Sequence, residues 1–108
     1  MDKVVRDGKV AVLCSPGFGS GWSTWNTEHP GLLYDPAVVA WVEAGRPGKD
    51  KREDLVLYLE DKYPGIYIGS NIEDLQVIWL PIGTQFRITE YDGSEGIEVQ
   101  KDVTWMVA

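Results

Sequence analysis

Four apolar residues in a row, Val10-Ala11-Val12-Leu13, constrain this chain more than any other feature. A strand that is apolar at nearly every position needs both faces covered, so it belongs in the middle of a sheet. Asp7-Gly8 stands just before it. That dipeptide suits a type I′ turn, in which both central residues take positive φ. Residues 3–14 therefore read as a hairpin, with Lys3-Val4-Val5-Arg6 as its outer strand.

The rest of the chain alternates punctuation with periodic segments. Asp35-Pro36 starts a helix, because Asp caps free N–H groups and Pro needs no donor at the first helical position. That helix is expected over 36–44, with Val38, Val39, Trp41 and Val42 toward the core and Gly45 and Pro47-Gly48 ending it. A second helix, from 49 or 50 to 63, places Leu55, Leu59 and Tyr63 at four-residue spacing with Val56 beside them. Pro64-Gly65 stops it. Leu32-Leu33-Tyr34 reads as a short strand or a packing anchor. Strands are expected at 66–68, 75–80, 85–91, 97–100 and 103–107, with turns at 69–71, 81–83 and 92–96. The predicted fold is α+β, with an antiparallel sheet (N-terminal hairpin plus C-terminal meander) and two helices packed on one face.

Composition narrows the function classes. One hundred and eight residues with 44% apolar content fit one domain, 1–108, with a real core. One cysteine, Cys14, allows no internal disulfide, and with one histidine, His29, it argues against a dedicated zinc site. No metal or cofactor is expected. The net charge of −7, without a basic stripe, argues against DNA or RNA binding through phosphate neutralisation. No apolar run approaches the roughly 20 residues that span a bilayer, and residues 1–8 lack the apolar core of a secretory signal. The expected location is the cytoplasm.

The segment after the buried strand carries the functional signal. Residues 15–31 form a long stretch without periodicity, a common form for a binding loop. Gly17, Phe18, Gly19, Ser20, Gly21, Trp22, Ser23, Thr24, Trp25 and Asn26 combine close backbone approach, flat aromatic faces and hydroxyl or amide partners. The glycine spacing is G-x-G-x-G, which is not the dinucleotide fingerprint, and no lysine lies between Lys9 and Lys49 to complete a Walker loop. A nest of backbone N–H groups for an anion remains. Phe18, Trp22 and Trp25 are candidates to stack a planar ligand, or else to fill the core. Arg87, the charge in the middle of the Phe86–Ile88 segment, is the candidate anion partner, or else a cross-strand mate of Glu98 or Glu90. Cys14 with His29 raises nucleophilic catalysis, against the plainer reading of Cys14 as a small buried hydrophobe. Glu90, Asp92, Glu95 and Glu98 read as solvated turn charges, with an acid–base pair or a calcium site as the alternative.

The strand and loop over 8–26, with GFGSGWSTWN at its centre, and the segment PIGTQFRITEYDG over 81–93 resemble small uncharacterised proteins of bacteriophages and prophages. The resemblance implies a context: soluble phage accessory proteins often counter host defences by sequestering a nucleotide signal or by occluding a host protein. The expected function is therefore non-enzymatic capture of a small nucleotide-like ligand. Gly17, Phe18, Gly19, Gly21, Trp22, Ser23, Thr24, Trp25, Asn26 and Arg87 would form the site, in a homo-oligomer joined by a sheet edge or by the Trp loop. The alternatives are an acidic interaction module that inhibits a host protein, and a small enzyme using Cys14.

Overall fold

The computed structural model describes residues 2–17, 21–68 and 71–100. The N-terminal hairpin forms as the Asp-Gly signal dictates. Strands β1 (Val5–Arg6) and β2 (Lys9–Cys14) pair antiparallel, with Arg6 opposite Lys9. Asp7 and Gly8 take φ of 50° and 74°, the left-handed conformation that this turn requires at both positions.

Strand β2 lies centrally, between β1 and β3 (Gln76–Pro81). Ala11, Val12, Leu13 and Cys14 are all buried, so both of its faces are covered as the apolar run demands. The ladder with β3 runs from Lys9 opposite Pro81 to Cys14 opposite Gln76.

Helix α1 (Pro36–Glu43) and helix α2 (Lys49–Lys62) lie against the Ala11 and Leu13 face. Val38, Val39 and Trp41 of α1 and Leu55 and Leu59 of α2 join one buried cluster with Trp22, Leu32, Tyr63, Ile72 and Leu75. Val42 and Val56 pack at its margin. Each fully buried Leu or Val of this set contributes about 1.5–3 kcal/mol. The fold is α+β, with antiparallel strands and helices on one face.

Several boundaries differ from the sequence reading, each for a physical reason. The C-terminal strands do not run on as one meander. Strand β3 pairs with β2, and β4 (Phe86–Tyr91) and β5 (Ser94–Val99) form a separate two-stranded ladder. The β4–β5 turn is Asp92-Gly93 alone, with φ of 50° and 81°, a repeat of the first hairpin's chemistry. Strand β5 therefore starts at Ser94, and Glu95 lies within a strand where a turn over 92–96 was expected. Residues 66–68 make no strand ladder; the side chain of Asn26 supplies the pairing instead, as described below. Asn71–Asp74 is a short helix, α3, for which no element was expected beyond the turn at 69–71; residues 69 and 70 of that turn lie outside the described residues. The described part of residues 15–33 holds two single 3₁₀ turns, Ser23–Trp25 and Pro30–Leu33. Leu32 is fully buried, so the 32–34 segment is a packing anchor and not a strand. The expected strand at 103–107, and Phe18, Gly19 and Ser20 of the candidate site, lie outside the described residues.

Candidate functional site

The 15–26 loop is organised by one carboxylate. Asp92-Gly93 fixes the register of β4 and β5, so that Glu90 stands opposite Glu95 on the same face of the hairpin. That face meets the loop. Glu95 is buried, at 4% exposure. Its Oε1 accepts from the Ser15 N–H at 2.9 Å, and its Oε2 from the Trp22 N–H at 2.9 Å, the Thr24 N–H at 3.1 Å and the Thr24 hydroxyl at 2.6 Å. The Glu95 N–H donates to Ser15 O at 2.7 Å, and the Ser94 hydroxyl to Pro16 O at 2.7 Å. The backbone donors that Glu95 takes, from Ser15, Trp22 and Thr24, flank the 17–21 glycine stretch expected to form a nest, and the anion they hold is the protein's own. Charge-assisted bonds of this kind are about twice as strong as neutral ones, which is what a buried carboxylate needs to offset its lost hydration.

The two tryptophans separate. Trp22 is fully buried and donates its indole N–H to Leu32 O at 2.8 Å. It is a core residue in this conformation, with no face open to a ligand. Trp25 is 43% exposed. Its ring lies against Tyr67, itself 52% exposed, with centroids 5.9 Å apart and a tilt of 42°. Its indole N–H reaches Glu90 Oε1 at 3.4 Å, the oxygen that also accepts the Gly93 N–H at 2.7 Å.

Asn26 locks the other flank. It is 1% exposed, and its amide behaves as a neighbouring strand would: Oδ1 accepts the Tyr67 N–H at 2.8 Å, and Nδ2 donates to Tyr67 O at 3.2 Å and to Trp22 O at 2.8 Å. Buried polar groups need such pairing. The same amide therefore positions Tyr67 beside Trp25. The glycines approach the protein's own atoms. A Cβ on Gly21 would collide with Thr24 Oγ1 and stand 2.6 Å from Trp25 Cδ1, and one on Gly17 would stand 2.6 Å from Asp74 Oδ2. Ser23 is half-buried at the start of the first 3₁₀ turn.

The remaining candidates lie apart from this loop's open face. Arg87 pairs with Glu98, directly opposite on β5, at 2.8 Å, and both side chains are largely exposed. A groove of about 510 Å³ is lined by Gln85, Phe86, Arg87, Glu98 and Gln100, none of them from the 17–26 loop. Cys14 is buried, and its thiol is pushed up to about 11, first by burial and then by the Glu95 charge. The thiolate needed for attack is therefore disfavoured at neutral pH. His29 is engaged elsewhere: its Nε2 lies 2.8 Å from Pro64 O and its ring stands edge-on to Tyr63. Among the described residues, no group of three His, Cys, Asp or Glu side chains is placed to hold a metal, and no helix is long and apolar enough to cross a membrane.

Two residues named in the sequence analysis have a larger part in this geometry than expected there. Glu95, expected as a solvated turn charge, is buried within a strand. Treating Asp92-Gly93 like Asp7-Gly8 would have started a strand at Ser94 and set Glu95 on one face with Ile97. Asp35 was read as a helix cap, which it is: Oδ1 accepts from the Ala37 and Val38 N–H groups at 3.0 and 3.2 Å. Its Oδ2 also accepts from Tyr63 Oη at 2.7 Å, Tyr58 Oη at 3.2 Å and Lys62 Nζ at 3.2 Å. The Tyr58 and Lys62 spacing of four residues, with Tyr63 next, was the available signal for one face of α2 meeting a buried acid. Lys62 is held well above its ordinary value, chiefly by its bond to Tyr58. Tyr63 is pushed up by burial and by its bond to Asp35.

No family model, curated protein or solved structure matches this chain.

Proposed function

We propose that the protein is a non-enzymatic interaction module whose contact surface is the Trp25–Tyr67 pair. The observation that carries the reading is the division of the two tryptophans. The Glu95 and Asn26 clamps seal Trp22 inside and hold Trp25 and Tyr67 out, so the aromatic patch is ordered before any partner arrives. Tryptophan and tyrosine are the residues most often found at the energetic centre of protein interfaces, and a preorganised patch avoids much of the ordering cost of binding. Glu90 beside Trp25 and the net charge of −7 favour a basic partner and speed its approach. In the phage context that the sequence suggests, the partner would be a host protein.

Capture of a nucleotide-like ligand is the second reading, supported by the exposed Trp25 face, on which a base could stack. Against it, the N–H groups of Ser15, Trp22 and Thr24 already hold a carboxylate, and Glu90 would repel a phosphate. Affinity capture from host lysate with wild-type protein, Trp25→Ala and Tyr67→Ala separates the two, alongside titration calorimetry with mono-, di- and cyclic nucleotides. The interaction reading expects one stoichiometric protein, retained by the wild type, lost from both variants at unchanged melting temperature, and weakened by salt. Identical capture by all three proteins, or heat with a nucleotide that Trp25→Ala abolishes, would overturn it.

A further inference from the structure

A second surface, independent of the Trp25 patch, lies at the outer edge of β3. Strand β3 ends the sheet order β1-β2-β3, so among the described residues one side of its backbone has no strand beside it. The direction of each peptide group follows from the hairpin. Arg6 and Lys9 flank a two-residue turn, and the Ala11 N–H donates to Val4 O at 2.9 Å. Lys9, Ala11 and Leu13 therefore address β1, and by alternation Val10, Val12 and Cys14 address β3. Their partners Leu80, Ile78 and Gln76 bond inward. Leu75, Val77, Trp79 and Pro81 consequently point their backbone groups outward.

The ends of this outward row are already engaged. The Leu75 carbonyl accepts from the Arg46 guanidinium. The Pro81 carbonyl accepts the Thr84 N–H at 3.0 Å, and Pro81 has no N–H to offer. Val77 and Trp79 remain, each with an N–H and a C=O that no described backbone group meets. This window is symmetric about Ile78.

We infer that the window joins two copies of the chain, β3 against β3, in an antiparallel ladder with the two-fold axis at Ile78. Around that axis Val77 of one copy faces Trp79 of the other, and each copy donates two and accepts two hydrogen bonds, the narrow-pair pattern of an antiparallel ladder. An isologous contact needs a self-complementary patch, and this one is self-complementary residue by residue. Monomeric proteins blunt an edge with lysine, proline, a bulge or inward charge; β3, QVIWLP, has only Pro81 of these, at its last position, which leaves Val77 and Trp79 unblunted. It also carries no charge to repel its own image, in a chain of net charge −7. The capped ends limit the ladder to that short window, so the assembly stops at a dimer. Repulsion between two acidic copies makes the dimer tighter as salt rises.

Sedimentation velocity over a concentration series, with amide exchange read residue by residue, tests this. The expected result is a dimer that grows with concentration and with salt. Its Val77 and Trp79 amides gain protection as it forms, while the Ile78 and Leu80 amides are protected throughout. Val77→Pro removes one outward N–H and no bond to β2, and is expected to leave a monomer. Should that variant fail to fold, the wild-type exchange pattern decides alone. A wild type that stays monomeric up to its solubility limit overturns the inference. So does a dimer in which Val77 and Trp79 exchange as fast as in the monomer.

Discussion

Single residues divide this molecule into what is held and what is offered. Glu95 is held, as an acceptor for donors at Ser15, Trp22 and Thr24. Glu95→Gln replaces one carboxylate oxygen with an NH₂ that faces donors. The expected cost is about 3 kcal/mol, the upper range for a charged hydrogen bond lost in a buried site, read as a lower denaturant midpoint with Trp22 fluorescence shifted to the red. Tyr63 gives the pH dependence. Its folded value lies above the ordinary value of 10.0, chiefly through burial, so the unfolded chain ionises first as pH rises. Lys62 is raised as well, and the two act in the same direction. The stability they contribute is complete below about pH 10 and falls away above it. Thermal melts from pH 8 to 11 should show that decline in the wild type and a shallower one in Tyr63→Phe. The sequence displayed Trp22 and Trp25 as equals, because spacing and residue type do not reveal which ring turns inward. What parts them is Glu95, some seventy residues later in the chain.

At the scale of elements, local signals were legible wherever one dipeptide decides the backbone. Asp7-Gly8 made its hairpin, Asp35-Pro36 started α1, and the four-residue spacing of Leu55, Leu59 and Tyr63 named the buried side of α2. Pairing between elements was not legible in the same way. Residues 75–80 and 85–91 both read as strands, yet nothing local says that the first returns to β2 and the second starts a new ladder. Residues 66–68 look like a strand by composition, and Asn26 gives Tyr67 the hydrogen bonds a strand would have made. Asp35 couples α1 to α2 by capping the first helix and accepting from three side chains of the second. Asp35→Ala removes both functions. It should cost about 3–5 kcal/mol, the range for breaking a buried, paired charge, measured by chemical unfolding. Asp35→Asn, which keeps a cap oxygen, should cost less.

For the whole molecule, the glycine-rich loop, the β4–β5 hairpin and the helices form one support for a small exposed aromatic patch. The fold class was readable in the sequence. The loop's role changes on seeing what fills it: the N–H groups of Ser15, Trp22 and Thr24 serve an internal carboxylate, and the exposed rings at its margin are Trp25 and Tyr67. Cys14 should follow from the same packing. A thiol buried and raised to about 11 is expected to resist alkylation at pH 7.5 until denaturant unfolds the chain, and rapid labelling of the native protein would contradict that. Amide exchange at Ser15, Trp22 and Thr24, compared between wild type and Glu95→Gln, is the most direct test of the Glu95 clamp. These amides should exchange slowly in the wild type and at least about tenfold faster in the variant, the ratio that about 1.4 kcal/mol of lost stabilisation produces. Equal rates in the two proteins, or fast exchange in the wild type, would show that the carboxylate does not order the loop.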